Sequence, residues 1–178
     1  MQAPRRALAI VISSLAMTAG HAFALTPAVR KVLIVGVDGM RPDAMTTANT
    51  PTFDALIAHG AVSYVCSAED ITISGPGWSS ILTGVHRNKH LVVDNTFQPQ
   101  NYVDYPHFFT RLQSVCDAYT ASICDWAPIN TQIVTTNADF IRSGVNDQAV
   151  ADTAANLVAT ANPDIIFLHF DDVDHAGH

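Results

Sequence analysis

The sequence predicts an α/β fold, a mostly parallel sheet with helices on both faces, and two observations carry that prediction. Lys31–Val37 and Asp164–Phe170 are short, nearly all-apolar runs with many β-branched residues, the pattern of strands buried on both faces. Between them lie segments whose apolar residues recur three and four apart, the spacing of helices that cover such a sheet.

Each element has its own local reason. Lys31–Val37 is the first strand and ends in Asp38-Gly39. Thr50 is placed to cap a helix that Pro51 opens; Phe53, Leu56 and Ile57 line one face and Gly60 closes it. Ala61–Cys66 reads as a second strand, and Pro76–Thr83 as a short helix stopped by Gly84. Tyr105–Leu112 reads as a helix and Tyr119–Cys124 as a strand. From Asn146 to Ala161, Val150, Ala154, Leu157 and Val158 keep a helical spacing, which Pro163 ends before the last strand.

The chain has 178 residues, 48% of them hydrophobic, enough for one domain with a real core. No internal repeat suggests a solenoid. The formal charge of −7 gives no electrostatic attraction to a phosphate backbone, so nucleic-acid binding by charge is excluded. A local metal charge can still draw an anionic small molecule into one site.

Residues 1–24 read as a signal peptide. Arg5 and Arg6 precede the mostly apolar run Ala7–Ala19, and Ala22-Phe23-Ala24 supplies small residues for cleavage before Leu25. That run is too short for a stable membrane span. Export to a periplasm or the medium follows, with residues 25–178 as the mature part. Cys66, Cys116 and Cys124 match no zinc spacing; they are either free thiols or include one disulfide, Cys116 with Cys124 closing a short loop.

In open α/β sheets the chemistry sits at the carboxyl ends of strands. Asp38 follows the first strand, and Asp171-Asp172-Val173-Asp174, His175 and His178 follow the last. Asp174 and His178, four apart in a loop with Gly177, offer oxygen and imidazole donors that suit zinc. Incidental acids in a polar loop would give the same letters; the position after a buried strand favours a site. In Thr72-Ile73-Ser74-Gly75-Pro76-Gly77-Trp78, a hydroxyl precedes a proline that suits a first helical turn. Ser74 is then either a nucleophile at the positive end of a helix dipole or an ordinary capping serine.

Asp38-Gly39-Met40-Arg41-Pro42-Asp43, Thr72–Gly84, Val92-Val93-Asp94-Asn95 and Asp174–His178 resemble, in order and rough spacing, the type I phosphodiesterases and nucleotide pyrophosphatases of the alkaline phosphatase superfamily. The resemblance implies an alkaline-phosphatase-like fold, incomplete at the C-terminus, and a zinc-dependent hydrolase of phosphodiester or nucleotide pyrophosphate bonds. It implies two Zn2+ ions: Asp38 and the nucleophile Ser74 on the first, Asp174 and His178 on the second, which activates water. Asn95 would hydrogen-bond a phosphate oxygen, and the intermediate would be a phosphoserine. The remaining ligands, an Asp-His pair and a later His, are expected beyond residue 178. Residues 25–178 are thus expected to be the N-terminal part of a catalytic hydrolase domain that is inactive alone.

Two positions depart from the pattern: Gly77 replaces an asparagine three residues after the nucleophile, and Leu91 replaces a glycine after His90. The first leaves the preferred substrate open among monoesters, diesters and pyrophosphates. His86, His90, His169 and His175 read as structural or supporting, and Asp171 and Asp172 as alternative ligands. Thr72 is the next candidate nucleophile. A sulfatase would want an arginine two residues after Pro76, where Trp78 stands. A mutase, a phosphomonoesterase and a degenerate, binding-only fold complete the alternatives.

Overall fold

The computed structural model describes residues 31–178, and the expected signal peptide lies outside them. Strands β1 (Val32–Val37), β2 (Thr120–Cys124), β3 (Phe140–Ser143) and β4 (Ile165–Phe170) form one sheet in the order β1-β4-β2-β3. Every pairing is parallel, with Val37 registered on Phe170 and Cys124 on His169. Parallel neighbours need long crossovers, and the helices supply them.

Alternation along β2 and β4 divides the interior into two cores. Cys124 and Phe167 face helix α3 (Ser74–Thr83), helix α5 (Phe108–Gln113) and a π-helical turn (Ile129–Val134), packing with Trp78, Leu82, Phe109, Ile129, Ile133 and Val134. Ala121, Ile123, Ile166 and Leu168 point the other way, against Val150, Ala154 and Leu157 of helix α6 (Asp147–Thr160). The expected helices on both faces are therefore present. Asn146 caps α6, its side chain accepting from the Ala149 amide. Short helices α1 (Pro42–Met45), α2 (Pro51–His59), α4 (Arg87–His90) and α7 (Asp172–Gly177) complete the order.

Several sequence expectations need correction. Among the described residues β1 is an edge strand that pairs only with β4, and Val32, Leu33 and Val35 are exposed rather than buried on both faces. Ala61–Cys66 is irregular rather than a strand; Val65 there is 91% exposed, and nothing in the sheet offers it a partner. Thr50 precedes α2 without capping it, and no residue of α2 is buried, so its apolar face is unused among the described residues. Helix α5 starts at Phe108 rather than Tyr105, because Pro106 biases its predecessor away from the helical region. The cysteines are all free: Cys124 is buried in β2 and Cys116 is exposed, so the short-loop disulfide is not formed. Finally, the segment expected to be a loop around Asp174 is α7, so the four-residue step to His178 is one helical turn.

Candidate active site

Parallel register brings the two acid-bearing strand ends together. Asp38 follows β1, and its amide donates to the Phe170 carbonyl at 2.9 Å, extending the ladder by one step beside Asp171. The next residue, Gly39, has φ +68, and a Cβ there would lie 2.6 Å from the Asp174 Cα. Only glycine permits both that backbone and the close approach of α7. Asp174 is thereby held beside Asp38, with His178 Nε2 3.4 Å from Asp174 Oδ1.

Ser74 reaches the same place from α3. The cap position belongs to Ile73, without a side-chain cap bond, so Ser74 is the first helical residue and not its cap. Its hydroxyl lies near enough to the Asp38 carboxylate to help hold that carboxyl down. The Gly75 amide donates to Asn95 Oδ1 at 2.7 Å. That bond engages the carbonyl end of Asn95 and leaves its N–H2 to donate to an anion. Pro76 sits in the first turn, as expected, and Gly84 ends α3 with φ +71.

Asp38, Ser74, Asn95, Asp174 and His178 all line one cavity of about 810 Å³. Met40, Ile73, Trp78 and Ile81 form its apolar wall. Asp38 is held ionised: burial pushes its carboxyl up, but the His169 ring, the Trp78 indole N–H, the Ser74 hydroxyl and the Gly39 amide together bring it down to about 2. Asp171 moves the opposite way, raised by its burial and by the charge of Asp38 despite the nearby histidines. Asp172 turns from the cavity to a group with Asp125 and Asp147, where Asp147 accepts from the Asp171 and Asp172 amides at 2.8 and 3.2 Å. Of the three aspartates considered as ligands, Asp174 is the one that lines the cavity.

The donor set fits divalent zinc. Asp38 is an ionised oxygen donor whose carboxylate already converges with the Ser74 hydroxyl, and Asp174 with His178 presents an oxygen and an imidazole from one helical turn. Each pair falls short of a usual zinc shell, which takes three or four protein ligands.

The contact of Trp78 with Asp38 is the one sequence reasoning missed; His169, read as structural or supporting, stands beside it. The Trp78 indole N–H donates to Asp38 Oδ2 at 2.9 Å, and the fully buried His169 brings Nε2 to 3.7 Å from the same oxygen. One signal was available: a glycine inside the first strand, Gly36, where an apolar side chain would otherwise stand.

Residues 32–114 match the profile described as Type I phosphodiesterase / nucleotide pyrophosphatase. The match covers somewhat less than half of the chain and contains Asp38, Ser74 and Asn95, while Asp174 and His178 come from the part beyond it. No curated protein matches the chain by sequence. Among solved structures, murine ectonucleotide pyrophosphatase/phosphodiesterase 5, an inactive variant in complex with AMP, superposes with a TM-score of 0.67 at 19% identity, over 84% of this chain and 45% of that one. Phosphonoacetate hydrolase from Sinorhizobium meliloti 1021, in complex with phosphonoacetate, gives 0.61 at 16% identity, over 82% and 47%. The human ectonucleotide pyrophosphatase/phosphodiesterase 5 gives 0.58 at 16%, over 84% and 45%. These likenesses show the α/β fold, which the chain shares with part of each of those structures. The chain spans about half the length of the solved relatives it matches.

Proposed function

We propose that this protein is a metal-dependent hydrolase of phosphate esters that uses Ser74 as its nucleophile. The observation that carries the reading is convergence: residues from the end of β1, the start of α3, the loop at Asn95 and helix α7 line one cavity, Ser74 and Asp38 among them. The segment's family and the AMP and phosphonoacetate bound by its structural relatives support phosphoester chemistry on a small molecule.

Asp38 and Ser74 would hold one zinc, and Asp174 and His178 a second. When bound, such ions supply positive charge to the phosphoryl oxygens and lower the pKa of a hydroxyl or water. Ser74 Oγ attacks phosphorus in line, forming the Ser–O–P bond as the bond to the leaving oxygen breaks. Its place at the first position of α3 puts the developing charge at the positive end of a helix. The Asn95 N–H2 donates to a phosphoryl oxygen, positioned through its carbonyl by the Gly75 amide. Water then cleaves the phosphoserine.

Phosphodiesters and nucleotide pyrophosphates are the substrates we favour, on the family of the segment. Cleavage after Ala24 and export belong to the same proposal; among the described residues, no helix is long and apolar enough to cross a membrane. With two side chains for each ion, residues 25–178 alone should hold zinc weakly and turn over slowly. The direct test is hydrolysis of nitrophenyl phosphomonoesters and phosphodiesters by the protein as its host makes it. Chelation should abolish activity, added zinc restore it, and Ser74→Ala lower kcat by orders of magnitude while KM changes little. Full activity of Ser74→Ala would move the nucleophile to Thr72.

A further inference from the structure

We infer that Trp78 is a positioning residue that fixes the Asp38 carboxylate for its role in the site, a proposal that rests on the reading of Asp38 as a metal ligand. The device is built into the sheet. Gly36 of β1 is registered opposite His169 of β4. A Cβ at Gly36 would lie 2.3 Å from Trp78 Cη2, so the missing side chain is the slot that the indole fills. His169 meets the indole edge-on with ring centroids 4.7 Å apart, and Phe167, on the same face of β4, does so at 5.9 Å. Walls on three sides leave the ring one orientation, and in it the indole N–H reaches Asp38 Oδ2 at 2.9 Å.

Both carboxylate oxygens are then engaged from the protein side, because Oδ1 accepts from the Gly39 amide at 3.0 Å. A carboxylate gripped at both oxygens is held against rotation, and Asp38 lines the cavity. His169 stands behind the indole: the Trp126 amide approaches its Nδ1 at 3.5 Å, and its buried Nε2, which has no hydrogen-bond partner, faces Asp38 Oδ2 across 3.7 Å.

The experiment has two arms on the intact protein. In the first, the indole N–H signal of Trp78 is followed by 15N NMR without metal. It should be shifted downfield and protected from solvent exchange, and Asp38→Ala should return it to the value of a free indole. A free, rapidly exchanging indole N–H in the wild type overturns the inference, whatever the protein catalyses. In the second, Trp78→Phe keeps an aromatic ring in the core and removes the N–H. Zinc affinity, read by competition with a chromophoric chelator, should fall about 10–100-fold in a variant that stays folded by circular dichroism. Unchanged zinc affinity in a folded Trp78→Phe also overturns it. A positive first arm together with an active Ser74→Ala would instead sink the proposed nucleophile and leave the Trp78–Asp38 grip standing.

Discussion

Gly39 and Asp174 share one space at the mouth of the cavity: a Cβ on the first would sit 2.6 Å from the Cα of the second. The contact couples the end of β1 to helix α7, and so joins Asp38 to Asp174 and His178. Gly39→Ala should cost about 2 kcal/mol or more, from the left-handed backbone and the clash together. Urea unfolding checks it, and a variant as stable as the wild type would mean that α7 yields easily.

Leu91 has φ +68, a backbone that glycine adopts freely, and the family resemblance places a glycine there. The side chain is 39% exposed, so little burial offsets the strain. Leu91→Gly should therefore raise stability, by up to about 1 kcal/mol after the added chain entropy of glycine. A fall in the urea midpoint would show that Leu91 packing outweighs its backbone strain.

Burial holds His107 down to about 4 from its ordinary 6.5, partly offset by the Val134 backbone. The ring is 2% exposed and faces Phe109 and Thr110. Above the ordinary value both folded and unfolded chains keep it neutral, and its contribution is fully present. As the pH falls from 6.5 towards 4, the unfolded chain takes up the proton first and stability drops, by about 3 kcal/mol in all. Below that range nothing further is lost from this group. His107→Gln should flatten the slope of unfolding free energy against pH in that window; an identical slope in the variant would assign the acid sensitivity elsewhere.

The Asn146 side chain accepts from the Ala149 amide at the start of α6. Asn146→Ala should cost about 1 kcal/mol, measurable by urea unfolding, with no effect on the cavity. A loss much larger than that would mean that Asn146 does more than cap.

Much of this architecture was legible from local pattern. The run Ile165–Phe170, the spacing of Val150, Ala154 and Leu157, and the Gly84 stop are signals that neighbouring residues supply alone. The convergence of Asp38, Ser74, Asn95, Asp174 and His178 on one cavity was expected from the order of the motifs. What escaped depends on distant partners. Whether β1 is an edge or a centre is decided by which strands pair with it, and no residue of β1 records that. The short strand Phe140–Ser143 shows little alternation and exists because β2 offers it a ladder. No local pattern links Trp78 to Asp38; that link appears once Gly36 and His169 are placed side by side.

The central claim is that phosphorus becomes bonded to Ser74. The most direct measurement is mass spectrometry of the protein quenched in acid during turnover of a phosphate ester. We predict a phosphoryl group on the peptide that carries Ser74, and none in Ser74→Ala. A protein that turns over substrate without labelling Ser74, or that carries the label on Thr72, would contradict the account.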